Sequence, residues 1–154
     1  MSSSDPSSAN IVKFASLGYV TTFPDSETQA VLRQATASRL NAYCPYSKFQ
    51  VGAAVVTATG AIFGGCNIEN SAYTVGICAE RTALAKAISE GFKSFKAVAV
   101  IGNQENVYTT PCGACRQFLS EFGNLKIFIS KPDLEDVYVT DLGQLLPHQF
   151  QIDQ

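Results

Sequence analysis

An α/β fold, a five-stranded mixed sheet with helices on both faces, is predicted from three observations on the 154 residues. Apolar runs of strand length alternate with segments of helical period. The run 97–101 (AVAVI) is apolar throughout, as a strand covered on both faces has to be. The last two strand-like runs, 125–129 and 137–140, leave far too short a gap for a crossover helix and are expected to pair antiparallel.

In chain order, residues 1–10 (MSSSDPSSAN) are Ser-rich and can bury almost nothing, which predicts a disordered tail. Residues 11–24 carry apolar positions without a sustained period. Residues 1–23 are therefore taken as a partly disordered N-terminal extension and 24–154 as a single domain. Ser26 followed by Gln29 reads as a capping box opening a helix that runs to about Ala42. Its narrow face of Val31, Ala35, Ser38 and Ala42 suits close packing on a sheet. Cys44-Pro45-Tyr46-Ser47 ends it. Residues 49–58, the turn Thr59-Gly60 and residues 61–66 form a hairpin. Its glycines at 52, 64 and 65 mark bulges or close approach to the backbone. Residues 67–76 are polar and irregular, a suitable place for ligand contacts on a rigid frame.

A second helix is predicted from Cys78 or Ala79 to Glu90, burying Ala83, Leu84, Ala87 and Ile88 and ending at Gly91. The strand 97–101 follows. A third helix over 113–122 buries Phe118, Leu119 and Phe122. After the two last strands, 142–146 forms a short helix before Pro147.

Composition narrows the function. The length allows one full hydrophobic core and little room for a second domain. With 46% hydrophobic and only 16% charged residues, the surface is sparingly charged, which favours a homo-oligomer. A net charge of −2 and the absence of any Lys/Arg block argue for a small ligand rather than a polynucleotide. No apolar run approaches the ~20 residues that span a bilayer, and the start has neither signal nor transit character, so cytoplasm or nucleus is expected. Five cysteines fit a reducing compartment without disulfides.

The chemistry is concentrated in Cys78-Ala79-Glu80-Arg81 and Pro111-Cys112-Gly113-Ala114-Cys115. Cys78, Cys112 and Cys115 supply three soft ligands for a tetrahedral zinc and leave one position open, as a hydrolytic site requires. Glu80 is then placed to move protons. The cysteines fall at helix starts, where backbone N–H groups and helix dipoles offset the thiolate charge, and Arg81 can donate to sulfur as well. Other readings exist. The CxxC pair could be a thiol redox pair, although it lies late in the chain and after another cysteine at a helix start. It could be half of a four-cysteine structural zinc site, with Cys44 or Cys66 as fourth ligand. Alone, Glu80 and Arg81 would read as solvated helix residues.

The segments AYCPYSKFQVGAA (42–54), GCNIENSAYTVGICAERTAL (65–84) and PCGACRQ (111–117) resemble the small, all-cysteine, homotetrameric cytidine deaminases, and the resemblance runs from about residue 24 to 150. It implies a three-layer α/β/α sandwich, one Zn²⁺ per subunit on Cys78, Cys112 and Cys115, and hydrolytic deamination of free cytidine and deoxycytidine. Glu80 matches the proton shuttle, serving ring N3 and then the departing amino group. Asn67 and Glu69 match the pair that bonds the ribose 3′-hydroxyl. Phe49 matches the residue that stacks on the pyrimidine, and the backbone of Ala79 the group that holds it. Tyr46 and Tyr73 match aromatics near the sugar, partly contributed across subunits. Phe150 resembles a C-terminal aromatic that closes over a neighbouring subunit's base. Active sites at interfaces of a homotetramer follow, with no polynucleotide and no membrane as partner. A polynucleotide deaminase and a non-enzymatic zinc module are the competing classes; the first wants basic grooves and the second a fourth ligand.

Overall fold

The computed structural model describes residues 17–22 and 24–152, so the Ser-rich tail expected over 1–10 lies outside the described residues. In chain order the elements are β1 (Tyr19–Thr21), α1 (Ser26–Arg39), β2 (Val51–Thr57), β3 (Ile62–Cys66), α2 (Ala79–Ser89), β4 (Phe95–Gly102), α3 (Gly113–Ser120), β5 (Lys126–Ser130), β6 (Val137–Asp141) and α4 (Leu142–Leu145). A short 3₁₀ turn occupies Tyr73–Val75. The predicted α/β architecture is present, with one correction: the sheet has six strands, in the order β1-β6-β5-β4-β2-β3.

The added strand is β1, paired antiparallel with β6 from Tyr19↔Val139 to Thr21↔Val137. It is secured by the Thr140 hydroxyl, which donates to the Leu17 carbonyl at 2.6 Å. Among the described strands only β4 and β5 run parallel, connected through α3, while β5 and β6 are antiparallel as expected.

Alternation along the central strands divides the core into two layers. Ala54, Val56, Ala97, Ala99 and Ile101 pack with Val31, Leu32 and Ala35 of α1 on one face. Ala53, Val55, Val98, Val100, Ile127 and Ile129 pack with α2, α3 and α4 on the other. Burial on both faces is why these strands read as unbroken apolar runs.

The helices sit very close to the hairpin. A Cβ on Gly52 would lie 2.0 Å from the Ala35 carbonyl oxygen, and one on Gly65 would lie 2.3 Å from the Ala83 nitrogen. Any side chain there would displace α1 or α2, so glycine is required by backbone-to-backbone packing.

Three local expectations need adjustment. Asp25, not Ser26, is the N-cap of α1, accepting from the Thr28 N–H at 2.7 Å. The helix ends at Arg39, so Ala42 falls beyond the buried face of Val31, Ala35 and Ser38. In α3, Cys115 and Leu119 point inward one turn apart, leaving Phe118 on the rim and 40% exposed rather than buried.

Candidate active site

Cys78 is the N-cap residue of α2 and Cys112 that of α3, both in extended backbone conformation. Neither side chain caps its own helix, so both sulfurs stay available. Cys115 lies in the first turn of α3 and is buried. The parallel β4–α3–β5 unit and the contact of α2 with β3 bring the two helix starts together.

The three sulfurs lie within 4.8 Å of one another, and Cys78 Sγ and Cys112 Sγ are 3.8 Å apart. Zn–S bonds of ~2.3 Å in a tetrahedron place sulfurs about 3.8 Å apart, so the cluster has the dimensions of a zinc site. Cys44 and Cys66 stand outside it. With three ligands, it is an open site rather than a closed structural one.

The surroundings favour the thiolate at Cys78. Hydrogen bonding from Cys115 pulls the Cys78 thiol down to about 5 against the opposing effect of burial, with further help from Arg81. Cys115, the donor in that pair, is pushed up. Arg81 Nη2 lies 3.8 Å from Cys78 Sγ. Glu80, in the first turn of α2, is only 3% exposed. Burial pushes its carboxyl up to about 7, and the neighbouring Cys78 adds to the rise, against hydrogen bonds that act the other way.

Beside the cluster lies a cleft of ≈ 620 Å³ whose lining includes Tyr46, Asn67, Glu69, Tyr73, Cys78 and Arg81. Six of the residues singled out in the sequence thus meet around one cavity. Glu69 accepts from the backbone N–H groups of Tyr46 and Ser47 at 2.9 and 3.2 Å and from the Ser47 hydroxyl. These bonds, the hydroxyl first, hold its carboxyl below the usual carboxylate range. Asn67 accepts from the Val51 N–H and donates to the Phe49 carbonyl, both at 2.8 Å, and so extends the edge of β2 with its side chain. Tyr46 and Tyr73 meet edge to face, with ring centroids 6.0 Å apart.

The remaining candidates lie elsewhere. Phe49 is half-buried against the core. Ala79 is fully buried at the first position of α2. Phe150 is 70% exposed and lies against α3, where Gln117 bonds its backbone. Ser47 and Gln117 were not singled out in the sequence. Ser47 was signalled only by its place in the same segment as Tyr46, and Gln117 by its place two residues after the CxxC pair.

An open three-thiolate metal centre with a buried carboxylate at its side, in an α/β/α fold, defines a metal-dependent hydrolase. Comparison with known proteins specifies which. Residues 25–131 match the family model described as the cytidine and deoxycytidylate deaminase zinc-binding region. The chain is 45% identical over 128 residues to the cytidine deaminase of Sporosarcina psychrophila, covering 80% of this chain and 91% of that one. It is 47% identical over 124 residues to a Dictyostelium discoideum protein named "Probable cytidine deaminase", covering 80% and 84%. Among solved structures, the Burkholderia pseudomallei cytidine deaminase superposes with a TM-score of 0.75 at 45% identity, covering 79% of this chain and 98% of that one. The chain belongs to the cytidine and deoxycytidylate deaminase family.

Proposed function

We propose that the protein hydrolytically deaminates free cytidine and deoxycytidine to uridine and deoxyuridine, releasing ammonia. The observation that carries this reading is the thiolate cluster opening on the cleft through Cys78, with Glu80 buried directly behind it. Zinc held by Cys78, Cys112 and Cys115, one per subunit, would supply a water whose pKa is lowered toward neutrality.

Glu80 does the proton work. Its position at the start of α2, shielded from solvent, lets one carboxylate take the proton of the attacking water and deliver it to N3 of the ring. C4 becomes electrophilic as N3 is protonated. Glu80 then passes a proton to the departing amino group. Arg81 stays on Cys78 and offsets thiolate charge.

The cleft favours a nucleoside over a nucleotide. Its lining holds the Glu69 carboxylate and a single cation, Arg81, whose guanidinium is engaged at 3.8 Å with Cys78. A 5′-phosphate would meet the Glu69 carboxylate with no free cation in the lining to balance it, whereas a sugar hydroxyl can donate to Glu69 and accept from Asn67. Tyr46 and Tyr73 flank the sugar, the Ala79 backbone holds the base and Phe49 stacks on it. Phe150 closes over the base bound in a neighbouring subunit of a homotetramer. Tyr73 at 80% exposed, with Leu40, Tyr43 and Val75 also exposed, supports such an assembly. No helix among the described residues is long and apolar enough to cross a membrane, and the cytoplasm or nucleus is the proposed location.

The test is direct. Purified protein should deplete cytidine's ultraviolet absorbance with stoichiometric ammonia, beside adenosine, deoxycytidine monophosphate and single-stranded DNA. Turnover of the monophosphate or of DNA in preference to the free nucleosides would overturn the reading.

A further inference from the structure

Two successive residues of α3 hold the C-terminal segment at two separate points. Arg116 Nη1 donates to the Leu145 carbonyl at 2.7 Å, while its Nε donates at 2.7 Å to the carbonyl of Pro111, the residue before Cys112. Gln117 uses both ends of its amide on one residue. Its Nε2 donates to the Phe150 carbonyl at 2.9 Å, and its Oε1 accepts from the Phe150 N–H at 3.3 Å. Between the two points the chain reverses through His148, at φ 56°, a left-handed conformation uncommon for a residue with a side chain.

The outcome is an aromatic residue whose backbone is held on both polar groups while its ring is left in solvent. A ring exposed only by chance on a chain end would need no such clamp. A fixed backbone beneath a free ring is the arrangement expected where the ring has a target outside its own chain and is oriented before it gets there.

We infer that Gln117 is the positioning residue for Phe150: its side-chain amide sets the backbone from which the Phe150 ring reaches the neighbouring subunit's pocket. This rests on the role given to Phe150 above. Gln117 stands two residues beyond Cys115, so one helix carries two of the three thiolates of its own subunit's site and aims the ring that completes another's. Ordering the backbone in advance lowers the entropy lost on closure, and the effect belongs in substrate affinity rather than in the chemical step.

The experiment uses the zinc-loaded assembled enzyme and two readouts. In amide hydrogen exchange, Gln117→Ala should speed exchange at the Phe150 N–H about 10-fold, with β4 exchange and zinc content unchanged as the check on folding. In kinetics it should raise KM for cytidine about 5- to 10-fold, with kcat within about two-fold of the parent. Gln117→Glu keeps the acceptor for the Phe150 N–H and loses the donor to its carbonyl; it should fall between, and it serves in place of Gln117→Ala if the alanine variant does not fold. On a Phe150→Ala background, loss of Gln117 should add nothing.

An equal KM penalty with and without Phe150 would overturn the proposal, because Gln117 would then act through α3 itself. So would unchanged Phe150 exchange, or a parental KM in Gln117→Ala beside a raised KM in Phe150→Ala. If Phe150→Ala alone keeps the parental KM, the pocket-closing role of Phe150 is what fails, and the positioning role falls with it. That result is obtained without touching Gln117, which keeps the two failures distinct.

Discussion

Arg81 and Cys78 face one another across the first turn of α2, with the guanidinium Nη2 3.8 Å from Sγ. Three thiolates around a divalent ion carry a net charge of −1, which opposes the acidification of water that the site requires. The guanidinium and the N-terminal ends of α2 and α3 act against that excess. Arg81→Ala should leave the fold intact while loosening zinc and depressing turnover by ~10–100-fold. Arg81→Gln should be milder, because it still donates to sulfur. Chelator competition measures the metal, and parental zinc affinity in both variants would reduce Arg81 to a surface residue.

Glu80 and Cys78 should fail in different ways. Glu80→Gln preserves volume and hydrogen-bonding reach but cannot relay a proton at neutral pH. Turnover should fall by at least ~10²–10⁴-fold with one zinc per chain retained. Cys78→Ala should lose metal and stability together, since it removes a ligand at the junction of α2 with the core. Zinc content and cytidine turnover on the same preparation separate the two outcomes.

Asp25 contributes stability with a defined pH dependence. The Thr28 N–H, followed by the Thr28 hydroxyl, holds its carboxyl below the ordinary value in the folded chain. A depressed carboxylate stabilises above its unfolded pKa and ceases to do so as pH falls through the folded value. Asp25→Ala should therefore cost ~1 kcal/mol at pH 7, and its deficit against the parent should shrink as the solution is made strongly acidic. Urea melts at the two pH values read both parts.

How much of this was visible in the residues depends on how local each feature is. The metal cluster was legible because its ligands occupy two short segments at helix starts, so ladder and helix geometry alone had to bring them together. The two-layer core was legible from the unbroken apolar run at 97–101. Strand β1 was not: Tyr19 and Val20 are both exposed, with no alternation, and only the β6 ladder and the Thr140–Leu17 bond make a strand of them. The cap of α1 was displaced by one residue because Asp25 and Ser26 are both competent caps, and the choice between neighbours rests on backbone geometry. The Gln117–Phe150 clamp joins positions 33 residues apart and leaves no local pattern at all.

Assembly should be visible in the kinetics. If Phe150 and Tyr73 complete sites across subunits, light scattering should return a homotetramer. Deleting the residues after Pro147 should then raise KM for cytidine more than it alters zinc content. A fully active monomer at assay concentration would contradict both.

The glycines beneath the helices bear on how this protein would look in a saturation-mutagenesis library. Gly65 meets Ala83 of α2, and Gly52 meets Ala35 of α1, at distances where no Cβ fits. Position 65 would be as unforgiving as Cys78 although it contacts no ligand, because the helix it supports carries that cysteine at its tip. A map of intolerant positions would therefore draw the active site too large, extending it down through the main chain of the hairpin.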